Sequence, residues 1–149
     1  MPVVSFWQAP EGVRVLPDGT WRVGGFPIIH APSLRHLKSR LVFADEGAFI
    51  QDGSQRLPVA VEGPAFEVLT LRIDATNGEV RAVLDDGTEE GITNAGMNEG
   101  TGRFECSCRG GKARAVFSRG AHQVLLDNVV QEGGEFFLCA GPRTIPVRP

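Results

Sequence analysis

The sequence predicts an α+β fold of two similar small units, each a helix packed on mostly antiparallel strands, sharing an interface. Three observations lead there. Asx-Gly pairs punctuate the chain, apolar residues alternate between those pairs, and one half of the chain repeats the other at a constant shift.

The turns come first. Asp18-Gly19, Asp52-Gly53, Asn77-Gly78 and Asp86-Gly87 are residue pairs that tolerate positive φ and so mark tight turns. Strands lie between them. Leu57, Val59 and Val61 alternate with other residues, as do Leu69, Leu71 and Ile73 with Thr70, Arg72 and Asp74. That is the period of a half-buried strand. Phe104, Cys106 and Cys108 alternate with Glu105, Ser107 and Arg109 in the same way.

Two segments carry the helical period instead. From Ser33 to Val42, Leu34, Leu37 and Leu41 fall on one face, and Pro32-Ser33 suits a helix start. From Ser118 to Gln131, Ala121, Val124, Leu125 and Val129 form a stripe that Gly133-Gly134 ends. The polar, Gly-rich stretch from Gly87 to Gly102 is expected to be a loop between the halves.

A shift of 88 positions lays Leu37 on Leu125, Leu41 on Val129, Phe49 on Phe137, Gly53 on Gly141 and Leu57-Pro58-Val59 on Ile145-Pro146-Val147. The Gly24-Gly25 and Gly110-Gly111 pairs depart from it, differing by 86. The expected units are residues 1–75 and 76–149, with a single compact domain as the alternative. One helix on a few strands is too small to exclude water from its apolar face, and a second copy supplies the missing cover. The seam between copies is then a natural ligand cleft.

Composition narrows the function. With 149 residues, 42% hydrophobic and 22% charged, the chain has enough apolar surface for a packed core. The formal charge is -3, with a pI near 5.6. Bases without interleaved aromatics on such a chain argue against nucleic-acid binding. No run approaches ~18 apolar residues, so no membrane span is expected. The start lacks a basic segment followed by an apolar one, so no secretory signal is expected. Three cysteines, Cys106, Cys108 and Cys139, are an odd number. No disulfide framework follows, and a cytoplasmic location is expected. Cys106-x-Cys108 reads as core packing, since the spacing is not that of a zinc knuckle. No metal or cofactor is expected.

The chemistry centres on the Gly110-Gly111 hairpin. A two-residue loop pairs Arg109 with Lys112, Ser107 with Arg114 and Phe104 with Phe117. Phe104, Cys106, Cys108, Ala113, Ala115 and Phe117 then share a core face. Arg109, Lys112 and Arg114 crowd the opposite face, and Arg119 follows at the second helix start. No acid lies between residues 106 and 126. Like charges facing across a hairpin repel, and a phosphate or carboxylate would relieve that repulsion. The competing reading is a solvated basic face answered by Asp85, Asp86, Glu89 and Glu90. Arg35, His36, Lys38 and Arg40 read as the charged outer face of a surface helix. Trp21 is either core or a stacking wall for a ligand in the seam, and Trp7 is the other large indole. His30, His36 and His122 have no evident catalytic partner, and no nucleophile elbow or phosphate loop is present.

The order of these motifs resembles a known family. Asp18-Gly19-Thr20-Trp21, Gly25-Phe26-Pro27-Ile28 and a short Leu-rich helix look like the start of the bacterial domain of unknown function 1285 family. Arg109-Gly110-Gly111-Lys112-Ala113-Arg114-Ala115, Phe136-Phe137-Leu138 and Ile145-Pro146-Val147 also fit. The resemblance spans residues 18–147. Glu11-Gly12 stands where a Cys-Gly pair is expected, and the 87–102 segment is short for the family. The resemblance implies a duplicated α+β fold with a C-terminal half superficially like pleckstrin-homology domains. It also implies a ligand site between the halves for a nucleotide-like molecule and a role in signalling; no catalytic activity is established for the family.

Two functional expectations follow. The first is a non-enzymatic regulatory module binding a small anionic ligand, with Arg109, Lys112, Arg114 and Arg119 supplying charge and Trp21 a wall. The second is a protein-interaction module that uses an exposed strand edge and takes no small ligand. An enzyme would need His30 or His122 beside a carboxylate or cysteine. The partner protein and oligomeric state are open at this point.

Overall fold

A computed structural model describes residues 12–149, so Trp7 and Glu11 lie outside the described residues. The chain is α+β and divides into two compact units, Met1–Ala65 and Phe66–Pro149. The division falls before residue 66 rather than after residue 75, because the strand Phe66–Asp74 pairs within the second unit.

The first unit runs β1 (Val13–Val15), β2 (Trp21–Val23), β3 (Phe26–Pro27), α1 (Ala31–Ser39), β4 (Leu41–Ala44), β5 (Gly47–Asp52) and β6 (Gln55–Val61). Its sheet order is β3-β2-β1-β6-β5-β4, antiparallel except for the central β1–β6 pair. Val13, Val15, Trp21, Leu37 and Ile50 are buried in its core.

The second unit opens with β7 (Phe66–Asp74), β8 (Glu79–Leu84) and β9 (Glu89–Gly91). It continues with β10 (Ala95–Asn98), β11 (Arg103–Cys108), β12 (Ala113–Phe117), α2 (Arg119–Asn128), β13 (Val129–Glu132), β14 (Glu135–Ala140) and β15 (Arg143–Arg148). Its nine strands run β13-β14-β15-β10-β11-β12-β7-β8-β9. The stretch β12-β11-β10-β15-β14-β13 repeats the first sheet in order and in strand sense, including the parallel β10–β15 pair at its centre. Duplication is therefore visible in the topology. At a shift of 88, β4 and β5 fall on β13 and β14, and both helices begin in register. The departure at the Gly-Gly pairs arises where β12 replaces the shorter β3. Strands β7 to β9 have no counterpart among the described residues of the first unit.

Several local expectations are corrected. Both helices stop early. Leu41 and Val42 form β4, and Val129 to Gln131 lie in β13, because their apolar side chains suit a sheet as well as a helical stripe. Gly133-Gly134 turns a hairpin rather than ending a helix. α1 is capped by His30, whose Nδ1 accepts from the Ser33 N–H, and Pro32 sits in its first turn. Lys38 is buried, so it does not belong to a solvated outer face.

Leu69 is exposed because the β7–β8 register shifts between Val68 and Thr70. That bulge turns Val68 and Leu71 both inward. The 87–102 segment holds β9 and β10, not a loop. β10 is a central strand held by ladders on both sides, which its side-chain pattern does not advertise.

Candidate functional site

The β11–β12 hairpin keeps the expected register. Ser107 faces Arg114, Cys108 faces Ala113, and the six predicted core residues are buried. Burial raises the thiols of Cys106 and Cys108 to a pKa of about 12. Cys139 is exposed.

The ladder ends at Cys108, and the charged groups do not gather as the sequence suggested. Arg109, Gly110 and Gly111 take φ of 53°, 66° and 86°, three left-handed residues in succession. This turns Arg109 away from Lys112 and Arg114. Its guanidinium donates to the carboxylates of Asp86 and Glu90 and stacks 4.6 Å above the Phe66 ring. Its backbone N–H donates to Glu90 Oε1 at 2.8 Å.

The Asp86 side chain is only 2% exposed. Its Oδ1 also accepts from the Thr88 backbone N–H at 3.0 Å and the Thr88 hydroxyl at 2.7 Å. The two carboxylates hold Arg109 more firmly cationic despite its burial. Arg114 pairs with Glu105, whose other oxygen accepts from Asn98 Nδ2 at 2.8 Å. Glu89 faces Arg72 and Arg81. Asp85 accepts from the Glu67 N–H. Asp86, Glu89 and Glu90 are thus partners of arginines, and Asp86 and Glu90 answer Arg109 as the competing reading of the basic face expected. Lys112 is exposed and makes no ion pair among the described residues.

Trp21 is 1% exposed and its Nε1 donates to the Ala65 carbonyl at 2.9 Å. It is a core residue of the first unit, not a stacking wall. Of the expected ligand residues, Arg109 and Arg114 are engaged, Trp21 is buried, and Arg119 stands apart.

Arg119 lines a cleft that the sequence reading missed. Ser118 caps α2, its hydroxyl accepting from the Ala121 N–H at 3.1 Å. Beside it a cleft of about 560 Å³ is lined by Arg103, Phe117, Ser118, Arg119, His122 and Gln123. No carboxylate lines it. Arg103 is fixed by donation from Nη2 to the Phe117 carbonyl at 2.8 Å, with Glu67 at 3.6 Å. The His122 ring stands edge-on to Phe104, with centroids 5.2 Å apart. Arg119 makes no ion pair among the described residues. Arg103 lies fourteen positions from Phe117, so only the β11–β12 pairing brings it to the helix start. Its placement at the first residue of β11 was the one signal available. Among the described residues no set of His, Cys, Asp and Glu is grouped to hold a metal. No helix among them is long and apolar enough to cross a membrane.

No protein-family model matches the chain, and no curated protein matches it. Among solved structures, a DUF1285 family protein from Silicibacter pomeroyi DSS-3 superposes with a TM-score of 0.68 at 18% identity. The match covers 90% of this chain and 78% of that one. A DUF1285 family protein from Shewanella baltica OS155 gives a TM-score of 0.50 at 14% identity, over 72% of this chain and 84% of that one. At these identities the likeness is one of fold, and it agrees with the resemblance carried by the sequence motifs.

Proposed function

We propose that this chain is a non-enzymatic regulatory module that binds a small anionic ligand, a nucleotide-like molecule among the candidates, in the cleft beside α2. The carrying observation is a cavity with two arginines on its wall and no carboxylate. Arg103 is held in place by the Phe117 carbonyl and shares its charge with Glu67 at 3.6 Å, so Arg119, which has no acidic partner among the described residues, supplies the free charge. An incoming phosphate accepts from both guanidinium groups, while Gln123 and His122 offer further polar contacts. The hairpin cations Arg109 and Arg114 contribute no free charge, because acids already neutralise them.

The test is thermal shift and calorimetry with pyrophosphate, nucleotides and phosphorylated metabolites at low salt. Saturation at a hundredfold excess over Kd adds ~2.7 kcal/mol of stability. Arg119→Ala and Arg103→Ala are expected to remove the shift, and Lys112→Ala to leave it. A shift of equal size in all three variants, or no shift at millimolar ligand, ends the reading.

A second reading, a protein-interaction module using a strand edge, is favoured by one observation. Val130, 46% exposed, sits on the edge strand β13, and Leu126 just before it is 51% exposed.

A further inference from the structure

The duplicated topology permits a position-by-position comparison of the two equivalent edges. In the first unit Val42 on the edge strand faces Phe49, which faces Pro58. In the second, Val130 faces Phe137, which faces Pro146. Each row lies on the sheet face opposite the buried Leu41 and Ile50, or Leu138 and Ile145. The same Val-Phe-Pro row therefore points outward twice.

The two rows are finished differently. In the first unit Arg56 stacks 4.5 Å above the Phe49 ring and pairs with Glu46 at 3.2 Å. The unit covers its own phenylalanine with its own cation. In the second unit the position equivalent to Arg56 is Thr144, and no cation stacks on Phe137 among the described residues. Acid is nevertheless present. Glu132 and Glu135 face each other directly across the β13–β14 hairpin. Like charges so placed repel, and neither is ion-paired among the described residues. A groove of about 260 Å³ beside them includes Glu135, Phe137, Pro146 and Arg148.

We infer that the β13 edge receives an extended segment of a partner protein bearing an apolar residue and, two positions along, an arginine or lysine. This inference rests on the strand-edge reading and names the partner's chemistry. Residues two apart on a strand point to the same face, so the apolar side chain lies beside Val130 and the cation beside Glu132. The partner's cation then lies at the acidic end of the β13–β14 hairpin, on the sheet face that carries Phe137, and answers the Glu132–Glu135 pair.

The test uses the full chain and fluorescein-labelled peptides alternating Thr with Val and Arg, read by anisotropy at low salt. A matched peptide has Glu in place of Arg. The Arg peptide is expected to bind at least tenfold more tightly than the Glu peptide. Thr144→Arg, which restores the cis cation of the first unit, is expected to weaken the Arg peptide about tenfold. Glu132→Gln with Glu135→Gln is expected to erase the Arg preference. All three positions are exposed, and circular dichroism checks that the variants fold. Equal binding of both peptides, abolished by Val130→Asp, overturns the cationic partner and leaves the strand-edge reading standing. Binding of neither peptide overturns both.

Discussion

Gly53 and Gly141 occupy equivalent places in the two units, which makes them an internal control for one close contact. Their φ values are 59° and 61°. A Cβ added at Gly53 meets nothing within 4 Å, whereas one at Gly141 lies 2.2 Å from the Ala75 carbonyl oxygen. The Gly53→Ala change therefore isolates the cost of left-handed backbone, roughly 1–2 kcal/mol. A less flexible unfolded chain offsets about 0.4–1 kcal/mol of that. A net loss of about 0.5–1 kcal/mol is expected.

Gly141→Ala carries the same cost plus the opening of a contact by about 1 Å, between two turns already fixed by hairpins. Overpacking of this kind costs typically ~1–3 kcal/mol. The expected loss is about 2–4 kcal/mol, or several degrees in Tm, since each kcal/mol moves Tm by ~2–4 °C at this chain length. Urea unfolding by circular dichroism measures both variants. Tryptophan fluorescence adds a second probe, since both tryptophans fall within residues 1–65. Equal losses within about 0.5 kcal/mol for the two variants would mean that the Gly141–Ala75 contact relaxes without cost, contrary to this expectation.

Other outcomes follow from the same structure. Arg109→Met leaves the carboxylates of Asp86 and Glu90 unpaired, and a loss of about 3–5 kcal/mol is expected in denaturant unfolding. Adding Asp86→Asn and Glu90→Gln to that variant is expected to recover part of it. Native protein at pH 8 is expected to expose one fast thiol, Cys139, to a thiol reagent, with Cys106 and Cys108 reacting only on unfolding, since burial raises both to about 12. The Asn77 backbone N–H, above all, holds the Asp74 carboxyl below its usual range. A lowered folded pKa gives stability that is present above the unfolded value and lost as pH falls through the folded one. Asp74→Ala is accordingly expected to flatten the acid limb of stability and leave neutral titration unaltered.

Much of the architecture is legible in the sequence because duplication repeats its own grammar. The 88-position shift identifies β4–β5 with β13–β14 and aligns both helix starts, and the Gly110-Gly111 turn sets the hairpin register. Local pattern misleads where tertiary pairing overrides it. Leu41 and Val129 continue a helical stripe but belong to strands. Leu69 alternates correctly until a bulge reverses its face. β10 carries no apolar alternation, so only its two neighbouring ladders reveal it.

The site is harder to read for an electrostatic reason. Arg109, Lys112 and Arg114 look unanswered within residues 106–126, yet Glu105 lies one position outside that window and pairs with Arg114. Asp86 from the β8–β9 turn and Glu90 from β9 answer Arg109. The acids were visible, and the left-handed turn of Arg109 toward them was not. Arg103 and Arg119 come together only through the β11–β12 pairing.

The parallel pair at the heart of each sheet has a consequence during synthesis. Val13 must find Val59, and Ala95 must find Val147. The first sheet has all its strands once Val61 has left the ribosome, and it is free to close while the rest of the chain is still being made. The second closes later. Its central strand β10 has one unpaired edge until β15 has been made, long after β11 and β12 are in place on its other side. Loss of β15 is therefore expected to open the larger unit from its middle outward, because β10 then keeps only its ladder to β11.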